Sequence, residues 1–319
     1  MVSENVYLVG MPRSGTTSLM KLLNSHESIV SFGESLFWGR QFVKPTNGEF
    51  YSRDEIDSLY DFYISYNWIN EFNPDQKTIY KQELTAGCKK LVKESEITPK
   101  IFFDLLCKVF QSTFKKDFAI EKTPHHIHYT DRIKSYYPNA KFIITYRNPY
   151  DFILSYKFQG SQGHIKTREK FERTYHPLQV ALIWRKYINS IHEHKNSNSV
   201  LALDITTLKG NGIKDLASFL GVNHKEFDVY KKDNSSFSKM KKIPKLKNDD
   251  YFWANLILKK YLKENSLYRN SNYDFLGICK SVLKIPLALY YNLFYLELAE
   301  GQTKLGYLFN YLKISKNND

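Results

Sequence analysis

Five short apolar runs, separated by longer stretches of helical periodicity, set the frame of this 319-residue chain. The runs cover residues 5–10, 28–32, 117–121, 141–146 and 199–204 and are too short for buried helices. Strands that alternate with helices predict an α/β fold, here a three-layer parallel sheet. A helix is expected to open at Gly15, Thr16 and Thr17. Another covers 176–195, with Trp184 and Tyr187 as core anchors, and a third covers 213–220 and is closed by Gly221. Residues 40–116 have helical periodicity and are rich in Tyr, Phe, Lys and Glu. They predict a helical insertion that covers the site and shapes an acceptor pocket. Residues 223–248 are polar and lysine-rich and are read as a lid loop. Residues 249–319 are expected to add C-terminal helices, so that 1–319 forms one domain.

In a parallel sheet, ligands bind at the carboxyl ends of the strands. The residues able to do chemistry follow such ends: the loop after Gly10, then Glu34, Lys122, Arg147 and Asp204. Val6-Tyr7-Leu8-Val9-Gly10 runs into Met11-Pro12-Arg13-Ser14-Gly15-Thr16-Thr17-Ser18, which opens an apolar helix. Such a junction aims backbone N–H groups, hydroxyls and the positive end of a helix dipole at one spot and so cradles an anion. The glycine spacing matches a P-loop, but Thr16 stands where a nucleotide triphosphatase needs its lysine, and the cation comes earlier, as Arg13. The loop therefore suits a phosphate without a metal. The run 141–146 ends in Arg147, followed by Asn148, Pro149 and Asp151, with Ser155 eight residues after the arginine. Pro149 suits a first helical position. A helix from there would bring Ser155 round near Arg147, whose guanidinium fork fits phosphate oxygens.

Both segments resemble sulfotransferases that use 3′-phosphoadenosine 5′-phosphosulfate (PAPS). The resemblance implies a P-loop-like, nucleotide-kinase-like core in which Arg13, Ser14, Gly15, Thr16, Thr17 and Ser18 hold the 5′-phosphosulfate, and Arg147 and Ser155 hold the 3′-phosphate. Cytosolic members carry a catalytic histidine after Lys-Thr. Here the stretch reads Glu121-Lys122-Thr123-Pro124, with His125, His126 and His128 just beyond, so a shifted histidine stays open as base. Glu34 is the preferred base. It lies twenty-one residues after Arg13, where tyrosyl-protein and heparan-type sulfotransferases resemble this chain and carry a catalytic glutamate. Lys122 is then the electrostatic partner of the sulfuryl group, and Arg13 takes up charge on the leaving oxygen. Ile205-Thr206-Thr207-Leu208 departs from the family's Tyr-Glu-Asp-Leu. The C-terminal Arg-Lys-Gly segment is also missing, and Lys239 and Lys241 in the lid are expected to substitute for it. PAPS is the expected co-substrate, with no metal. The expected acceptor is a free hydroxyl on a glycan or glycolipid; a lipid or sterol hydroxyl and a peptidyl tyrosine are the alternatives.

Charge and composition adjust this picture only slightly. Lys and Arg number 46 against 33 Asp and Glu, a formal net charge of +13, which favours anionic partners. The lysines are scattered, and no specific nucleic-acid partner is expected. Cys88, Cys107 and Cys279 are odd in number and widely spaced, as in a protein of the reducing cytosol. No signal peptide is read before the first strand, which adds to a cytoplasmic expectation. Residues 282–298 are the most apolar stretch, but Lys284, Pro286 and Asn292 interrupt them. They are read as a helix pair packed on the domain, with peripheral membrane contact as the alternative. A P-loop small-molecule kinase is the competing enzyme class, and its support is the Walker-B-like Val200-Leu201-Ala202-Leu203-Asp204.

Overall fold

The computed structural model describes residues 5–46, 48–94, 96–158, 175–204, 211–228, 244–270 and 273–294. The chain divides into two compact units, residues 1–146 with 187–232, and residues 147–186 with 233–319.

The first unit holds a five-stranded sheet in the order β2-β3-β1-β4-β5. Its strands are β1 (Val6–Gly10), β2 (Ile29–Phe32), β3 (Phe118–Lys122), β4 (Lys141–Tyr146) and β5 (Val200–Asp204), each within a residue or two of the apolar run that predicts it. Every pairing is parallel, so all carboxyl ends lie along one edge. β1 is central and buried throughout, with β3 on one side and β4 on the other.

Alternation along β1 feeds two different layers. Val6 and Leu8 face Leu19, Leu22 and Leu23 of α1 (Thr16–Ser25), together with Leu216. Leu216 belongs to the helix Asn211–Leu220, after which Gly221 takes the left-handed conformation (φ 69°) expected of a cap. Tyr7 points the other way and stacks on Phe103 and Phe142, at ring centroid distances of 5.7 and 5.6 Å. Phe103 lies on α4 (Pro99–Phe114), the last helix of the segment 40–116. That segment is helical as expected, with α2 (Arg53–Ile64), a 3₁₀ turn Asn67–Glu71, α3 (Pro74–Leu91) and α4. It is more than a cover, however, because α4 forms part of the second layer of the sheet.

Capping explains where these helices start. Ser52 and Glu55 form a reciprocal capping box before α2, Asn73 and Gln76 do the same before α3, and Thr98 caps α4 ahead of Pro99. Their aromatics pack largely on one another: Tyr63 stacks on Trp68, and Trp68 meets Phe110 edge-on.

The second unit is helical among its described residues. It contains α6 (Pro149–Lys157), the first part of α7 (Pro177–His194), α9 (Asn248–Glu264), α10 (Phe275–Leu283) and α11 (Ile285–Phe294); α5 (Thr130–Tyr136) and α8 (Asn211–Leu220) belong to the first unit. Lys157 donates to both oxygens of the fully buried Asp250, at 2.7 and 2.8 Å, which joins α6 to α9. His176 Nε2 donates to the Ser281 carbonyl at 3.0 Å, and Trp253 Nε1 donates to Ser281 Oγ at 3.0 Å, which ties α10 to the same core.

One close approach limits the sheet edge. Gly10 has φ 126°, and a Cβ there would lie 2.1 Å from the Thr145 carbonyl oxygen on β4. Gly10→Ala is therefore expected to cost about 3 kcal/mol from backbone strain and overpacking. Urea denaturation of the variant against wild type checks this.

Candidate active site

The loop after β1 turns on three residues with positive φ: Gly10 (126°), Arg13 (65°) and Gly15 (87°). Met11 N–H donates to the Thr145 carbonyl at 2.8 Å, which pins the loop to β4. Ser14 is buried. Its hydroxyl donates to the Met11 carbonyl at 2.5 Å and lies 2.6 Å from Thr145 Oγ1, while its N–H donates to Met11 at 3.3 Å. Ser14 thus braces the loop from behind, and its donors are not turned toward a ligand as expected. Gly15 is the N-cap of α1; no side chain caps that end, and its first turn carries no acidic residue. Leu19 N–H makes the first ladder bond, to Gly15 at 3.0 Å. The N–H groups of Thr16, Thr17 and Ser18 precede it, as unsatisfied donors at a helix start do, and Thr17 is exposed. This donor set fits an anionic group with several oxygens.

At the ends of β2 and β3, two consecutive residues of one strand hold two consecutive residues after the other. Lys122, the last residue of β3, places Nζ 3.1 Å from Glu34 Oε1. The lysine side chain is 7% exposed and the glutamate 47%, so a nearly buried cation meets a carboxylate that is open to solvent. Next to them, Glu121 is fully buried and holds Ser35. Its Oε1 accepts from Ser35 N–H at 3.2 Å, from Ser35 Oγ at 2.8 Å and from Thr123 Oγ1, and its Oε2 lies 3.0 Å from His126 Nδ1. Burial pushes the Glu121 carboxyl up. His126 beside it and the bonds from Thr123 and Ser35 outweigh burial and hold it below 4.5.

From α2 and the turn after it, Tyr63 donates to the Ser35 carbonyl at 3.0 Å and Tyr66 to the Glu34 carbonyl at 2.9 Å. The next residue, Leu36, adopts a left-handed conformation (φ 58°) that β-carbon sterics disfavour, and these contacts hold it there. Glu121, Ser35, Tyr63 and Tyr66 are the residues that sequence reading misses. A glutamate inside the apolar run Phe118–Lys122 was the available signal, since a buried carboxylate requires several donors.

The three histidines each have a partner. His126 is buried on Glu121, His128 Nδ1 lies 3.1 Å from Ser190 Oγ, and His125 Nδ1 bonds the Tyr187 hydroxyl. Tyr187 is therefore more than the core anchor expected of it. Full burial removes His126 from the list of bases, whereas Glu34 is open to solvent at this edge.

Arg147 follows β4 and begins the second unit. Trp184 Nε1 donates to its carbonyl at 2.9 Å, and its Nε lies 3.9 Å from Asp151 Oδ2. Asn148 caps α6 by accepting from Asp151 N–H at 3.0 Å, and Ser155 is buried within that helix. Lys239, Lys241 and residues 205–208 lie outside the described residues. The start of the expected lid is not loose: His26 Nε2 lies 2.9 Å from Glu226 Oε2, and Asp228 N–H donates to Ser25 Oγ at 3.0 Å.

A parallel α/β sheet with an uncapped helix start after its central strand, of a kind that suits an anion, has P-loop-like architecture. The model of the sulfotransferase family matches residues 5–210, well over half of the chain, and the chain belongs to that family and is a sulfotransferase. No match is found among curated proteins. Among solved structures, a sulfotransferase from Alicyclobacillus acidocaldarius has 15% identity and a TM-score of 0.47, with 85% of this chain and 98% of that chain covered. The sulfotransferase domain from the curacin biosynthetic pathway has 15% identity and a TM-score of 0.45, over 80% and 98%. Sulfotransferase STF9 from Mycobacterium avium has 12% identity and a TM-score of 0.43, over 83% and 77%. Family membership sets aside the kinase reading. Its Walker-B-like strand is β5, which stands at the sheet edge with β4 between it and β1.

Glu121→Gln is expected to destabilise the fold by about 3 kcal/mol at neutral pH, because it disrupts a buried carboxylate held by several hydrogen bonds. The wild-type contribution is complete above pH 4.5, the ordinary carboxyl value, and is lost as the pH falls through the lower folded-state value. Denaturation as a function of pH should therefore show a loss of wild-type stability below pH 4.5 that the variant lacks.

Proposed function

We propose that this sulfotransferase takes its sulfuryl group from PAPS and delivers it to a hydroxyl of a carbohydrate or glycolipid, with Glu34 as general base. The observation that carries the reading is the Lys122–Glu34 pair, 3.1 Å apart, at the carboxyl edge of the sheet that also bears the anion loop. Transfer is in-line: the acceptor oxygen attacks sulfur as the bond to the bridging oxygen of the nucleotide breaks. Glu34, half-exposed, can reach an acceptor and receive its hydroxyl proton. Lys122, fixed and nearly dry, supplies a positive charge for the sulfuryl oxygens. Arg13 and the N–H groups of Thr16, Thr17 and Ser18 bind the 5′-phosphate and offset charge on the leaving oxygen, with Gly15 giving the turn and Ser14 bracing it. Arg147 and Ser155 bind the 3′-phosphate, and Lys239 and Lys241 contact the nucleotide from the 223–248 segment.

The acceptor class rests on the glutamate base and on the motif resemblance to carbohydrate and tyrosyl-protein sulfotransferases. The aromatic content of residues 40–116 gives it little support, since Tyr63, Trp68, Phe102 and Phe110 are buried against one another. Tyr66 and Phe62, part-exposed and 4.8 Å apart by ring centroid, stand beside the base and suit the face of a sugar.

Calorimetry with 3′-phosphoadenosine 5′-phosphate in EDTA, alongside ATP and adenosine 5′-phosphosulfate, tests the donor. Tight binding of the bisphosphate alone is expected, and a preference for magnesium ATP would overturn the assignment. Arg147→Ala should weaken bisphosphate binding roughly ten- to hundred-fold, the worth of a charge-assisted phosphate contact. An unchanged dissociation constant would refute the 3′-phosphate role. Glu34→Gln should keep nucleotide affinity and lower turnover roughly a hundredfold or more. If turnover holds near wild type, the base is elsewhere and His125 is the next residue to replace.

A further inference from the structure

The last two described helices carry their hydrophobic residues on the outside. In α11 the buried positions are Ala288 and Asn292, while Leu287, Leu289, Leu293 and Phe294 are exposed. In α10 the buried position is Ser281, and Phe275, Leu276 and Leu283 face solvent, Phe275 and Leu283 at 76% and 78% exposure. A water-facing helix of a globular protein shows the reverse pattern. Exposed apolar side chains in this number, contiguous along two successive helices, mark an interaction surface. Lys284 and Pro286 break the pair, so it can follow a surface. No helix among the described residues is long and apolar enough to cross a membrane.

A second observation gives the partner its charge. Beside the pair lies a cavity of about 700 Å³ lined by residues that include Leu287 and Ala288 of α11 and Lys247, Lys280 and Lys284. These three lysines are exposed, and no carboxylate among the described residues pairs with them. The other lining lysine, Lys157, is satisfied by Asp250. Two aspartates also line the cavity. Asp274 is engaged in capping α10, accepting from Leu276 and Gly277 N–H at 3.1 Å each, and Asp249 lies in the first turn of α9. Lysines therefore outnumber carboxylates where the apolar surface begins, on a chain of net charge +13.

We propose that α10 and α11 dock this protein on an anionic lipid surface. Leu283, Leu287, Leu289 and Leu293 enter the boundary between headgroups and acyl chains, Lys280 and Lys284 meet lipid phosphates, and the cavity takes a headgroup. Apolar insertion and cationic contact are the two signals that together give stable peripheral binding.

Co-sedimentation of the full-length protein with vesicles tests this, using phosphatidylcholine alone and phosphatidylcholine with phosphatidylglycerol. Binding is expected only with the anionic lipid. Leu283→Ser/Leu289→Ser changes exposed, uncharged positions and should lower partitioning about tenfold or more. Lys280→Gln/Lys284→Gln should lower it about twenty-five-fold, near fivefold per lysine. Lys89→Gln/Lys93→Gln, the same charge loss at the end of α3 and in the turn after it, should leave it close to wild type. No binding to either vesicle would overturn the proposal. An effect of the Lys89 and Lys93 pair equal to that of Lys280 and Lys284 would also overturn it, by reducing the binding to net charge. So would light scattering that shows a dimer dissolved by Leu283→Ser/Leu289→Ser in a protein that ignores vesicles, since the surface would then belong to a second copy.

Discussion

A carboxylate cannot stay ionised in a dry core unless donors surround it, and Glu121 meets that requirement in a way that organises the whole edge of the sheet. It sits in β3 with buried Tyr7 of β1 and Phe32 of β2 on either side, and its oxygens draw in Ser35, Thr123 and His126. Satisfying Glu121 fixes the chain after β2, and with it Glu34. It also fixes the chain after β3, which carries the histidines. Because strand side chains alternate, the same strand turns Lys122 to the opposite side, where it meets Glu34. The exposed pair is as well placed as the hidden network beneath it.

The anion loop follows a different rule. Its backbone passes so close to Thr145 that only glycine fits at position 10, and Ser14 gives its hydroxyl to the loop itself. What remains for a ligand is the uncapped start of α1. The donors on offer there are main-chain N–H groups, which every sequence carries. Recognition of this element from sequence therefore depends on its glycines and small residues rather than on any one side chain.

The sheet was legible because each strand is a short apolar run with little competing helical signal, and observed strand bounds differ from those runs by a residue or two. The nearness of Glu34 and Lys122 was legible for a related reason: topology alone sends residues after adjacent parallel strand ends to one edge. Ser14 read as a ligand contact because spacing cannot show which way a hydroxyl turns. Tyr63 and Tyr66 stayed hidden because their partners are backbone carbonyls more than two dozen residues away, and such contacts leave no pattern in the sequence. The role of α4 was missed as well, since an aromatic-rich helix reads the same whether it covers a site or backs a sheet.

The tyrosine bonds to residues 34 and 35 end on main-chain oxygens and take no account of the side chain at position 34. Where the backbone of residue 34 stands is thus set independently of its side chain. Position 34 works as a socket: the tyrosines that locate it ignore its occupant, so the side chain that meets Lys122 could change by one codon with no redesign of the surrounding backbone.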